Sequence, residues 1–307
     1  CIKLYDRSKC NCRWRLDCLI KLFNKSKTDI MIISDLMIDN FDYRKYLITN
    51  KLENLIGKKF LKNNFEKNTI DDPFHNVNPN NKEPFSPEFD DLIRLHYLIK
   101  SRKATTVLEY GVGYSSVIMA DAILQNSLDS TFPNLRCSNL FELHSIDTSK
   151  EYISVTKKII PKHLSSIINL HFSDITMSEF NGRICTLFDS HPNLSPDIIY
   201  VDGPDQFSPV GDIRGISTRH PDRMPMVADI LSMEHFLCPG TLIIFDGRTA
   251  NARFVKSNLQ RNWSYLYVEE FDQHFFELLE PPLGEHNKNK INYCLGENYY
   301  KRLNKII

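Results

Sequence analysis

The run Val107-Leu108-Glu109-Tyr110-Gly111-Val112-Gly113-Tyr114-Ser115-Ser116 is the part of this chain best suited to chemistry. An apolar, β-rich stretch ends in a carboxylate, two glycines follow, and hydroxyl residues open a helical pattern. Gly111 and Gly113 let the backbone turn sharply and approach a ligand with no Cβ in the way. A dinucleotide fingerprint has a third glycine where Ser116 stands, and an acid at Glu109 would repel a pyrophosphate. Glu109 suits a positively charged ligand instead. No Gly-x-x-x-x-Gly-Lys-Ser/Thr pattern occurs, which excludes a P-loop.

Further candidates close other apolar runs or lie in the loops that follow them: Asp147, Asp174, Asp202, Asp205, His220 and Asp246. Acids at strand ends can hold hydroxyls or take a proton within hydrogen-bond reach, and we read Asp202, Asp205, His220 and Asp246 as candidate proton acceptors. Asp174 serves equally well as a turn or helix cap, and His144, inside a strand, reads as a satisfied core histidine. Between Asp202 and residue 224 runs a long loop, of the length typical of lids and binding loops. It carries Arg214, Arg219 and Arg223 but no lysine, and Arg248 and Arg253 follow the next apolar run. A guanidinium binds phosphate or carboxylate at two points, so Arg214, Arg219, Arg223 and Arg248 predict an anionic group on the substrate. Pairing with Asp212 and Asp222 is the competing explanation.

Strands and helices must alternate to place these residues. Apolar spacing predicts a helix from Phe89 to about residue 101, a strand at 105–109, a helix at 115–126 and a strand at 143–147. A helix at 150–159, strands at 168–172 and 197–202, a helix at 224–237, a strand at 241–246 and a helix at 250–261 follow. Strands at 265–270 and 275–279 are close enough to pair as a hairpin. The expected fold is α/β: a Rossmann-like, doubly wound, mostly parallel seven-stranded sheet with an antiparallel C-terminal hairpin. Pro and Asn crowd residues 71–87, so the chain divides into a mainly helical N-terminal extension with its linker (1–84) and a main domain (85–307).

The segment around Gly111 resembles motif I of the class I S-adenosylmethionine (SAM)-dependent methyltransferases, and the resemblance spans residues 85–307. It implies SAM as cofactor, held by Glu109, Gly111, Gly113, Tyr114, Ser115, Ser116, Asp147 on the ribose, Asp174 near the adenine, and Asp202 beside the sulfonium. Asp147 follows Glu109 at far more than the roughly 20 residues usual for a ribose-binding acid in such folds, so an insertion is expected at 129–139. Metal-dependent relatives have Asp-Asn after the fifth strand. Here the pair is Asp246-Gly247, and no metal is expected. The resemblance implies O-methylation of a small polar acceptor, anionic or sugar-containing. The competing readings are an NAD-type oxidoreductase and a non-catalytic SAM-binding or regulatory protein with this fold.

Acidic and basic residues balance at 38 each, which argues against a surface built to coat nucleic acid. The partner expected is a small-molecule acceptor. No run approaches the roughly 20 apolar residues of a membrane span, no signal peptide is visible, and the default location is cytoplasmic. Cys1, Cys10, Cys12 and Cys18 crowd the start of the chain, but Cys10-Asn11-Cys12 is not the pair spacing of zinc sites, so they read as thiols. Cys137, Cys185, Cys238 and Cys294 read as small core residues.

Overall fold

The computed structural model describes residues 41–56, 88–129, 131–133 and 138–305. The four N-terminal cysteines, Cys137 and the breaker-rich stretch 71–87 lie outside them. In chain order the described elements begin with α1 (Tyr43–Thr49), α2 (Glu53–Ile56), α3 (Phe89–Ser101), β1 (Thr106–Tyr110) and α4 (Tyr114–Ser127). Next come β2 (Glu142–Asp147), α5 (Lys150–Ile159), β3 (Ile168–Phe172), β4 (Ile175–Phe180), β5 (Arg183–Phe188) and β6 (Ile198–Val201). The rest are α6 (Asp229–Met233), β7 (Leu242–Asp246), α7 (Thr249–Lys256), β8 (Trp263–Val268), β9 (Gln273–Leu278), α8 (Glu285–Cys294) and α9 (Gly296–Leu303).

Seven strands form one sheet in the order β3-β2-β1-β6-β7-β9-β8. β1 pairs in parallel with β2 on one side and β6 on the other, and β9 alone in this sheet runs against the rest, pairing antiparallel with both β7 and β8. The strand order therefore reverses at β1, and such a switch point leaves a crevice beyond the carboxyl ends of the strands. Period-two alternation sends neighbouring residues to opposite faces. Val107, Ile198, Tyr200, Leu242 and Ile244 pack with Leu95, Ile99, Val117 and Ile123 of α3 and α4. Leu108, Ile199, Val201, Ile243 and Phe245 pack on the other face with Ile230 of α6 and Val255 of α7. Leu47, Leu52 and Ile56 of α1 and α2 join Phe89, Leu92, Ile93 and Ile118 in one cluster, so the described part of the N-terminal extension shares a core with the main domain.

Three features depart from the expected elements. A hairpin, β4–β5, stands between β3 and β6, closed by Asn181 and Gly182 at φ 48° and 70°. Asn-Gly is the favoured pair for that two-residue turn, so the signal was present. The long loop after Asp202 is not a loose lid: Val210 bridges Thr176 and Val227 bridges Thr186, lacing it to the hairpin. That lacing also removes the first part of the helix expected at 224–237. Pro225 restrains Met224 from helical geometry, Thr186 N–H donates to Met226, and helix starts only at Asp229. Finally α8 and α9 bury Ile291, Tyr299 and Leu303 beside Leu279. The insertion expected at 129–139 falls between α4 and β2. Among the described residues, no helix is long and apolar enough to cross a membrane.

Candidate active site

At the carboxyl ends of the strands lies a cavity of about 360 Å³, within the usual range for small-molecule sites. One wall is the turn after β1 and the start of α4: Val112, Gly113, Tyr114 and Ser115. The opposite wall gathers Glu88, Asp91, Tyr200, Asp246, Phe271 and Asp272, with Asp202 and Gly247 between. Five carboxylates line the cavity, and among the described lining residues there is no lysine, arginine or histidine.

The glycine turn is held from behind. Glu109 is fully buried, and its carboxylate accepts hydroxyl hydrogen bonds from Ser115 at 2.5 Å, Ser116 at 2.6 Å and Ser145 at 2.5 Å. Burial nevertheless outweighs the three donors and pushes its carboxyl up to about 7. Glu109 thus does not face the cavity; it fastens the turn to β2 and α4 and leaves Ser115, which does line the cavity, with its oxygen as an acceptor. Gly111 has φ 113°, and a Cβ on it would come within 3.3 Å of the Gly203 nitrogen. A Cβ on Gly203 would stand 2.8 Å from the Gly111 nitrogen and 2.9 Å from its Cα. The loops after β1 and β6 therefore interlock backbone to backbone. Gly113 differs: its backbone is extended, and a Cβ there meets no protein atom within 4 Å. The space beside it is open cavity, the cradle a bound ligand would occupy.

Asp147 accepts the Ser149 N–H at 2.6 Å, and further backbone donors come from Thr148 and Val112. Burial raises its carboxyl to about 6 against those bonds. It ties β2 to the glycine turn from outside the cavity lining. Asp174 is exposed, and Asp205, also exposed, accepts the Phe207 N–H at 2.8 Å; neither lines the cavity.

Asp202 and Asp246 do line it. Asp202 is open to the cavity yet ringed by protein. That surrounding raises its carboxyl to about 7 against the pull of Arg248, with a further push from Asp246 and Glu109. Asp246 is also raised, chiefly by burial, although Tyr200 donates to its Oδ2 at 2.5 Å and Gln273 to its Oδ1 at 3.2 Å. Tyr200, Asp91, Glu88, Tyr152, Phe271 and Asp272 are wall residues the sequence reading did not single out. Of these only Tyr200, the one polar tip in an otherwise aliphatic strand, carried a usable signal.

The remaining candidates lie elsewhere. His220 is exposed, accepts the Asp222 N–H at 3.2 Å and does not line the cavity. Arg214, Arg219 and Arg223 are exposed on the laced loop, and Arg223 donates to the Ser217 carbonyl at 2.7 Å. Arg248 donates to the carbonyls of Asp202 at 2.6 Å and Pro204 at 2.9 Å, so its fork clamps the loop after β6 rather than a substrate. Arg253 is exposed on α7. His144 is a satisfied core histidine, bonded to Glu142 and His171 at 2.8 and 3.0 Å. Cys185 is buried, Cys238 and Cys294 half-buried. Among the described residues, no group of three His, Cys, Asp or Glu is placed to hold a metal.

The sheet is Rossmann-like and mostly parallel, as expected. No protein-family model matches it, and no curated protein matches it in sequence. Among solved structures it is similar to the O-methyltransferase TomG from Streptomyces achromogenes, in complex with SAM. Identity there is 15%, over 62% of this chain and 80% of that one, with a TM-score of 0.37. Podospora anserina methyltransferase PaMTH1, bound to S-adenosylhomocysteine (SAH), is 12% identical over 63% and 80% of the two chains, TM-score 0.39. A Bacillus cereus O-methyltransferase in complex with SAH is 14% identical over 81% and 96%, TM-score 0.36. Likenesses this distant say nothing about chemistry.

Proposed function

We propose that this protein is a SAM-dependent methyltransferase that methylates a hydroxyl of a small polar acceptor. The observation that carries the reading is the glycine turn at the strand switch point, opening on a cavity with five carboxylates and no described cationic side chain. SAM carries a sulfonium and an ammonium and no phosphate, which suits that wall; a dinucleotide brings a pyrophosphate, which does not. Gly113 and Ser115 would hold the cofactor, with Glu109 and Asp147 fixing the turn that presents them. When bound, SAM supplies a methyl group on a positively charged sulfur.

Among the lining acids, Asp202 is the one suited to take the acceptor's proton: among the described residues no hydrogen bond occupies its carboxylate, and at about 7 it sits near working pH. Asp246, held by Tyr200 and Gln273, is placed to grip the acceptor. Holding acceptor and cofactor in line is the larger contribution, worth up to roughly 7–11 kcal/mol when geometry is near attack. The acidic wall favours an uncharged or basic acceptor over an anionic one. Calorimetry with SAM, SAH and NAD tests the reading: binding of SAM and SAH without NAD is expected, and tight NAD binding without SAM would end it. Mass spectrometry of ligand released from freshly purified protein gives the same answer independently.

A further inference from the structure

We infer that Gln273 is the positioning residue of the acceptor-facing wall, one amide holding Asp91 and Asp246 side by side. The inference rests on the methyltransferase reading for what that wall does. Antiparallel pairing of β7 with β9 sets Gln273 directly opposite Asp246, and the first turn of α3 brings Asp91 over the same strand ends. Gln273 is 1% exposed and lies behind the cavity lining. Its Nε2 donates to Asp91 Oδ1 at 3.1 Å and to Asp246 Oδ1 at 3.2 Å. An amide nitrogen has two N–H groups, so each carboxylate receives one.

Two carboxylates this close repel each other, and the surroundings answer that on both sides. Arg94 forms an ion pair with Asp91 while its guanidinium lies 3.8 Å over the Phe271 ring, which lines the cavity. Tyr200 donates to Asp246. The charged and titratable groups acting on Asp246 include Tyr200, Arg94, Glu88, Asp202 and Arg248, beside Asp91 on the shared amide. A glutamate at 273 would offer at most one donor and add a third acid; asparagine is one methylene too short; leucine leaves both acids without the donor. A neutral side chain with two hydrogens on one atom is what the position requires.

Carbon-13 carboxyl NMR on the full chain labelled at aspartate tests this, with Asp91→Asn and Asp246→Asn supplying the assignments. Gln273→Leu should raise the Asp246 titration midpoint by about one unit, because a donor that favours the charged form is gone. Gln273→Glu should raise it further, and it keeps the test alive if the leucine variant does not fold. SAH affinity by calorimetry should stay within twofold in both. An unmoved Asp246 midpoint in both variants overturns the inference, as does a tenfold loss of SAH affinity, which would place Gln273 with the glycine turn. Binding of neither SAM nor SAH by the wild-type chain brings down the methyltransferase reading instead, leaving the clamp to be decided by the midpoints.

Discussion

The two walls of the cavity are built by opposite means. Val112, Gly113, Tyr114 and Ser115 come from one unbroken run of chain, braced by Glu109 and locked backbone to backbone against Gly203. The facing wall draws Asp91 from α3, Tyr200 from β6, Asp246 from β7, and Phe271 and Asp272 from the turn between β8 and β9. Side-chain hydrogen bonds hold it, through Gln273 and Tyr200. A wall fixed by backbone geometry suits a ligand that is always the same; a wall fixed by side chains can be re-cut for a different partner while the sheet stays intact. The difference is mechanical, and each wall should fail in its own way.

The largest separation of the two is expected at Asp202. Asp202→Asn keeps the shape of the cavity and removes the proton acceptor, so turnover should fall by roughly 10²–10⁴-fold, while SAH affinity changes little. Incorporation of labelled methyl from SAM into a library of small hydroxyl compounds, beside calorimetry, measures both. Because the base must be unprotonated, wild-type turnover should climb as pH rises through about 7 and level off above it. A parallel loss of affinity and turnover would show that Asp202 belongs to cofactor binding. Turnover should also survive chelation, since Gly247 stands where a second oxygen ligand would be needed. Loss with EDTA and return with magnesium would count against that.

How much of this could be read beforehand follows the same divide. The glycine turn, Asp202 and Asp246 were visible because each sits at the end of a contiguous apolar run, where strand order alone places it. The hairpin at Asn181-Gly182 is equally legible, since that pair favours the positive φ its turn adopts. Gln273 and Asp91 were not legible: they lie 182 residues apart, and only the pairing of β9 with β7 and the crossing of α3 bring them together. The arginines misled because spacing cannot say which way a loop lies. Laced to the hairpin, that loop leaves Arg214, Arg219 and Arg223 exposed, outside the cavity lining.

Glu109 gives a prediction confined to the glycine-turn wall. Its carboxyl is raised from 4.5 to about 7 in the folded chain, so the folded state holds a proton that the unfolded state releases. Stability from this group is therefore complete below about 4.5 and is lost as pH rises through about 7. Glu109→Gln should abolish that slope, so the wild type loses on the order of 3 kcal/mol relative to the variant across the interval. Denaturant unfolding at pH 4.5 and 7.5 measures it. Equal slopes for the two proteins would mean that Glu109 stays ionised and binds through charge.

Gly203→Ala tests the joint between the walls. Its methyl would meet the Gly111 backbone at 2.8 Å, an atom that cannot rotate away. The expected cost is about 1–3 kcal/mol of stability, with SAH affinity falling because the displaced turn carries Gly113 and Ser115. Gly113→Ala makes the sharper control: with no protein atom within 4 Å, it should leave the melting temperature nearly unchanged and weaken SAH alone. Full SAH affinity in the Gly113 variant would show that nothing lies in that cradle.

The smallest effects should come from the arginines, and they set a floor for everything above. Arg214, Arg219 and Arg223 are exposed and outside the cavity lining, so replacing each with alanine should shift stability by no more than about 0.5 kcal/mol. SAH affinity should hold within twofold. Arg248 differs although it looks the same in sequence. Its Nη2 reaches two carbonyls on either side of Gly203 and its Nη1 approaches Met224, so even Arg248→Lys, which keeps the charge and loses the fork, should loosen the loop that carries Asp202. The expected signature is a lower melting temperature; the pH limb of turnover should move up only in Arg248→Met, which also removes the cation that pulls the Asp202 carboxyl down. If Arg219→Ala instead raised the Michaelis constant for an acceptor with SAH affinity intact, the loop would have to reach the cavity during turnover, and the anionic acceptor would return as the better reading.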